Sequence, residues 1–313
     1  MRLASTSNTV RDRRTPAPFD GDLQRHQNLL EFLDNHPLVR SVDLPGIVVR
    51  SAGPPVSLWP RPDHVPLPIR NTQISYPRIG VVDGGVGIAL SDWIIDRWDI
   101  LAEEDMDPEH GTFIGGLAIA GATLNGPWVC PEPDGAEIVD LAIFPDEKQP
   151  NAFSAYYSDG PFGFFDELNN AIEDARARHG VRVFNMSLNI GIPASPKLYS
   201  QYAARLDQIA EDNNILIFVS AGNTEPQDGR PEWPADASVA LSDLAIAQND
   251  RLLVPAESVR NVSVAALNPP GQDGCLPFAL ACFSRRGPGL RSGVKPDLSH
   301  VGGSGTKHPS RGH

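Results

Sequence analysis

No run in this chain approaches the roughly 20 apolar residues needed to cross a bilayer, so nothing in it reads as a membrane span. Cysteine is scarce: Cys130, Cys275 and Cys282 form an odd set without a CxxC pair. That argues against a disulfide framework and against a structural zinc site, and leaves the three as small apolar residues. Positive charge is also short, with 26 Lys and Arg against 39 Asp and Glu, a net of −13. A surface this acidic repels phosphate backbones and anionic lipid, so neither nucleic acid nor a membrane is an expected partner. The basic N-terminus has no apolar segment behind it and does not read as a secretory leader as it stands. The expected location is cytoplasmic.

What is present points to a globular chain. Its 313 residues, 41% of them hydrophobic, can bury a sizeable core as one large domain or two ordinary ones. Residues 1–75 differ from the rest, because prolines recur from Pro16 to Pro68 and each removes a backbone donor. Within them Leu23 to Leu33 carries helical spacing. The region reads as a small N-terminal module with a Pro-rich linker.

From Tyr76 onward strand and helix patterns alternate. Arg78–Val82, Glu137–Phe144, Val181–Ser187, Ile215–Ser220 and Val262–Ala266 read as strands. Thr112–Ala122, Phe165–His179 and Leu198–Asn213 read as helices. Continuous apolar strands separated by helices predict an α/β fold with a parallel sheet covered on both faces. Such sheets react at the carboxyl ends of their strands, which is where Asp83, Ser187 and Asn223 fall.

Asp83 ends RIGVV and precedes Gly84-Gly85. A carboxylate at the end of a buried strand must be paired or hydrogen-bonded, although an aspartate opening a turn reads the same way. His110 opens the small-residue helix in the context HGTFIGG, 27 positions after Asp83. The helix dipole there disfavours an imidazolium, so a histidine whose tautomer is fixed by a carboxylate can accept a proton. A surface histidine near a helix cap is the alternative. Asn223 ends SAGN after the most apolar strand, where its amide could donate to a developing oxyanion or simply close a turn. A partial GxGxxG, Gly85-Val86-Gly87-Ile88-Ala89-Leu90, also follows the first strand and admits a dinucleotide-binding reading, though its third small residue is replaced by leucine.

Five segments stand in one order: RIGVVDGG, HGTFIGGLAIAGA, VRVFNMSL, ILIFVSAGN and FSRRGPGLRSGVKPDL. In this the chain resembles the subtilisin-like serine peptidases, the subtilase family, over residues 76–303. The resemblance implies a three-layer parallel-sheet fold, incomplete at the C-terminus, and proteolysis through an acyl-enzyme on a polypeptide substrate. It implies that Asp83 orients His110, that His110 is the general base, and that Asn223 stabilises the oxyanion. It also implies that Ser187, Leu188 and Asn189 form the edge on which a substrate backbone pairs. No acidic cluster matches a calcium site, and neither metal nor cofactor is expected. Two positions depart from the family pattern: Gly84 stands where Ser or Thr is usual, and Asn189 stands where glycine completes the substrate loop.

The family's nucleophile lies in a Gly-Thr-Ser-x-Ala-x-Pro segment beyond the Lys-Pro-Asp matched by Lys295-Pro296-Asp297. Only residues 298–313 follow here, and Gly305-Thr306 is succeeded by Lys307. Ser304 and Ser310 lack an apolar helix behind them, so residues 304–313 read as an atypical tail. In the family that segment opens a buried central helix, so its loss predicts uncovered apolar faces on the sheet. The expectation is a subtilisin-like endopeptidase, inactive as this chain, with a non-catalytic peptide-binding remnant as the alternative.

Overall fold

Seven strands, five of them the apolar runs of the sequence, pair side by side in one parallel sheet. The computed structural model describes residues 20–39, 42, 46–50, 67–149, 151–224, 229–234, 236–246, 250–270 and 276–302. Cys275, the tail with Ser304, Lys307 and Ser310, and most prolines before residue 67 lie outside the described residues.

The sheet runs β3 (Ile94–Asp99), β4 (Glu137–Ala142), β2 (Arg78–Asp83), β5 (Val183–Met186), β7 (Leu216–Ser220), β8 (Val262–Leu267), β9 (Leu298–Val301). Every neighbouring pair is parallel. The chain runs from β2 to the edge strand β3, returns to lay β4 between them, then crosses to β5 and builds outward on the other side. The reversal leaves a crevice at the carboxyl ends of β2 and β5, where α/β sheets place their sites. A separate two-stranded pairing joins β1 (Val48–Arg50) to β6 (Leu188–Ile190), antiparallel.

Helices cover the sheet on both faces. On one face lie α4 (Pro161–His179) and α5 (Gln201–Asn213). Phe164, Phe165, Leu168, Ala171, Ile172 and Ala175 recur at helical spacing along α4 and are buried against Val82, Leu141, Phe184 and Ile217. Pro161 opens α4, and Gly180, at φ 68°, closes it in the left-handed conformation. Ser200 caps α5 by accepting from the Ala203 N–H at 3.0 Å. The opposite face holds α2 (Pro108–Asn125), whose Ile119 and Ala120 pack on Val81 and Ile138. Shorter helices α3 (Ala152–Tyr156) and α6 (Ala237–Ile246) lie between the larger elements in sequence, and α1 (Leu23–Asp34) has no buried residue.

Coverage of the two faces is unequal. Phe184, Met186, Ile217, Val219 and Ala265 are buried on the α4–α5 face. Asn185, Phe218, Val264 and Ala266, which alternate with them, are only half-buried, and Val183 is exposed. Among the described residues the α2 face is therefore half-open over β5, β7 and β8.

Residues 67–70 belong to the packing of this sheet. Leu67 joins the cluster around Trp93, whose Nε1 donates to the Pro68 carbonyl at 3.2 Å, and Arg70 pairs with Glu137. The dinucleotide reading fails here on structure: Gly85–Leu90 leads into a 3-10 turn at Ile88–Leu90 and then β3, so no helix N-terminus is presented to a phosphate. Among the described residues no helix is long and apolar enough to cross a membrane. Nor is any group of three His, Cys, Asp or Glu placed to hold a metal ion.

Asp140 holds the loop after β2. Its Oδ2 accepts from the Val86 N–H at 2.9 Å and pairs with Arg97 at 2.8 Å, while the buried Oδ1 has no partner among the described residues. Burial pushes this carboxyl up to about 7, against the opposing pull of Arg97 and the Val86 N–H. A raised folded value means that its contribution to stability is complete below the unfolded value of about 4 and is lost as pH rises towards 7. Asp140→Asn is expected to flatten the denaturant-derived stability curve across that window by a few kcal/mol; an unchanged slope excludes this linkage.

Candidate active site

Asp83, the last residue of β2, has no solvent exposure. Its Oδ1 accepts from the Gly84 N–H at 2.8 Å, and its Oδ2 meets His110 Nδ1 at 2.5 Å. An ionised carboxylate only accepts, so Nδ1 is the donor in this contact, and in the neutral tautomer that this favours Nε2 carries the lone pair. His110 lies in the first turn of α2, which Asp107 caps and Pro108 opens. The helix must approach the β2 loop closely for this contact. Gly111 permits it, since a Cβ there would fall 2.2 Å from the Gly85 carbonyl oxygen.

His110 forms one wall of a cavity of about 430 Å³. Ser187, Ser220, Gly222, Asn223 and Ser284 line it too, with the half-open strand residues Phe218, Val264 and Ala266 as its floor. Asn223 follows Gly222, which holds φ 92° and turns the chain out of β7. Its backbone is pinned: Asn223 bridges Ser284, and Arg285 Nε donates to the Asn223 carbonyl at 2.8 Å. Behind it Arg230 and Arg286 both grip Asp250 at 2.6 Å, tying the loops at 250 and 281–286 together. The structure thus brings Asp83 into contact with His110 and sets His110, Ser187 and Asn223 around one space. Among the described residues no serine, threonine or cysteine side chain is hydrogen-bonded to His110.

Leu188 and Asn189 lie in β6, beside the cavity and buried. Asn189, where the family has glycine, turns inward and donates Nδ2 to the Ser220 carbonyl at 3.0 Å. It ties the edge strand to the end of β7 and leaves the β6 backbone free to pair. That pairing is taken by β1, with Val49 opposite Asn189 and Arg50 opposite Leu188.

Sequence reasoning did not include Arg50 in the site. Its Nη1 donates to Asp107 Oδ2 at 2.8 Å, its Nη2 to the Asp107 carbonyl at 3.0 Å, and Nη2 stands 3.5 Å from Asp83 Oδ1. The guanidinium lies 5.5 Å from the Phe144 ring centroid, and the Arg50 N–H donates to Glu147 Oε1 at 3.2 Å. Gly84 is what admits it: a Cβ there would fall 2.6 Å from Arg50 Nη2. The departure from Ser or Thr at position 84 was the signal available in the sequence.

Burial pushes the Asp107 carboxyl up, but the Arg50 hydrogen bond and charge, with the Glu109 N–H and Lys148, outweigh it and hold the group below the ordinary carboxylate range. Glu147 moves the other way, raised by burial, with the charges of Asp83 and Asp146 acting in the same direction.

A family model described as the subtilase family matches residues 96–312. An uncharacterized protein, y4bN, of Sinorhizobium fredii (strain NBRC 101917 / NGR234) is 30% identical over 161 residues, which make up 44% of this chain and 35% of that protein. The chain therefore spans about a third of the length of this curated relative. Among solved structures, the prenylagaramide maturation protease PagA aligns at 17% identity and TM-score 0.41, covering 72% of this chain and 63% of PagA. The MycP3 protease of the type VII (ESX-3) secretion system aligns at 21% identity and TM-score 0.42, covering 72% and 58%.

Arg50→Ala leaves Asp107 without its principal partner in a half-buried setting, where solvent screens the charge, and is expected to lower stability by about 1–2 kcal/mol near neutral pH. Because the folded Asp107 value is depressed, its share of that stability is present above the unfolded value of about 4 and lost as pH falls below it. Denaturant melts of the two proteins should accordingly converge in acid; a pH-independent gap would mean that lost packing, not the ion pair, sets the difference.

Proposed function

The chain belongs to the subtilase family, and from that premise we propose that it is built for serine-type peptide hydrolysis. The observation that carries this reading is the Asp83–His110 contact at the mouth of a cavity whose far wall is Gly222–Asn223. In the proposed mechanism His110 Nε2 takes the proton of an attacking hydroxyl and returns it to the leaving amine, while buried Asp83 stabilises the imidazolium that forms between. The Asn223 amide receives the developing oxyanion. A peptide substrate pairs its backbone along Ser187, Leu188 and Asn189 as an added strand in place of β1, which holds Leu188–Ile190 in the structure.

The nucleophile is the part this reading must supply. A hydroxyl placed between His110 and Asn223 has to arrive from the half-open face over β5, β7 and β8. A helix lying on Phe218, Val264 and Ala266 would deliver it and cover those residues at once. The 313-residue chain is proposed to be catalytically silent without that element. A second reading, a peptide-binding member of the family that does no chemistry, is favoured by the occupied pairing edge of β6.

The purified chain is expected to give no peptide hydrolysis above background and no labelling by a fluorophosphonate probe. Robust labelling would contradict the absence of an activated serine. Fusing a helix that begins Gly-Thr-Ser-x-Ala-x-Pro to the C-terminus should create hydrolytic activity. His110→Ala in that fusion should then remove on the order of 10²–10⁴-fold of it or more. Activity indifferent to His110 would exclude it as the base, and a folded but inert fusion would favour the binding reading.

A further inference from the structure

We infer that Asp83, Asp107 and Phe144 form an arginine-specific subsite for an extended peptide paired on β6, and that Arg50 is its in-chain occupant. This rests on the proposed substrate edge and names the side chain that edge selects.

Three independent features of Val48–Arg50 make it resemble a bound peptide strand and not a tether. Its backbone pairs antiparallel with β6 in register, Val48 opposite Ile190 and Arg50 opposite Leu188, and the Gly191 N–H donates to the Ile47 carbonyl at 2.8 Å. Val48 is 3% exposed and joins the main core. Arg50 then turns its side chain along the site, not out to solvent, and ends beside the carboxylate that holds His110.

The chemistry of the pocket selects a guanidinium. Asp107 supplies a carboxylate oxygen and its own carbonyl oxygen to the two terminal nitrogens, at 2.8 and 3.0 Å. Two acceptors set for a planar fork suit arginine and not the point charge of lysine. The Phe144 ring takes one flank of the ion, and Asp83 Oδ1 adds a second negative charge. The space exists because position 84 is glycine: a Cβ there would collide with the guanidinium and also fall 2.7 Å from the Asp107 carbonyl oxygen and 2.9 Å from that of Phe144. A neutral isostere of arginine keeps the shape and loses both charge contacts, which makes citrulline the discriminating probe.

The test uses the full chain with Arg50→Ala, which vacates the subsite, and the peptides acetyl-Ile-Val-Val-Arg-amide and its citrulline counterpart, with binding read by calorimetry. The variant is expected to bind the arginine peptide at least tenfold more tightly than the citrulline peptide. Wild-type chain should bind the arginine peptide at least tenfold more weakly than the variant, since Arg50 competes. Adding Asp107→Asn to the variant should bring the two peptides within about twofold of each other, as one charge-assisted bond is worth roughly that tenfold. Equal affinity for both peptides overturns the arginine subsite while leaving the pairing edge in place. A folded variant that binds neither peptide overturns both. Should Arg50→Ala lose its cooperative melt, the same comparison in Arg50→Lys decides: displacement by the arginine peptide but not by the citrulline peptide supports the subsite, and equal behaviour refutes it.

Discussion

Everything around the crevice follows from one buried carboxylate. Asp83 is fully removed from water at the end of a buried parallel strand, where an unpaired charge would cost several kcal/mol. Its compensation comes from three directions: the Gly84 N–H from its own turn, the His110 ring from the first turn of α2, and the Arg50 guanidinium from β1. Each donor arrives on a different element. Satisfying Asp83 therefore fixes where α2 starts, how closely it lies on the sheet, and why a segment 33 residues upstream is folded against the strand ends. Gly84 and Gly111 are consequences of that convergence, because a side chain at either would occupy the volume of a partner.

The charge excess of the whole chain has a local counterpart here. Asp83, Asp107, Asp146 and Glu147 crowd one side of the crevice, and burial with mutual repulsion raises Glu147. Arg50 is the cation that lowers Asp107 in return. A crevice with this balance attracts cationic side chains and disfavours anionic ones. The Asp83 carboxylate within that field also faces His110 Nδ1, at 2.5 Å. Arg50 and His110 thus both stand against the same cluster of carboxylates.

Much of this was legible in the sequence because the signals were local. RIGVV, EIVDLAIF and ILIFVS are apolar runs that only a sheet buried on both faces accommodates, and each became a strand. Asp83, His110 and Asn223 could be singled out because glycines and strand ends mark such positions before any packing is known. The strand β3 was missed because IIDRWD has too many charges to look buried; Arg97 and Asp96 are satisfied by Asp140 and by Arg178 with His179. The strand β9 was missed because LSHV is short and lies at the sheet edge, half in solvent. Arg50 could not be found by pattern, since its partners are 33 and 57 residues away and only the register of β1 on β6 reveals its reach. Position 84 carried the one hint, and its meaning depended on knowing what fills the space above it.

The half-open sheet face and the cavity beside His110 are one feature. Residues of β5, β7 and β8 that alternate with fully buried neighbours remain partly in water, and apolar strand surface left in this state favours whatever element can cover it. The floor of the cavity is made of those same residues, and its walls are His110 on one side and Gly222–Asn223 on the other. A helix seated on the floor and running antiparallel to the strands would bring its first turn to their carboxyl ends, between the two walls. Such a helix would turn its N-terminal residue towards His110 Nε2, with its free backbone N–H groups facing the same space as the Asn223 amide. A loop that reached the histidine without lying on the strands would leave Phe218, Val264 and Ala266 half in water.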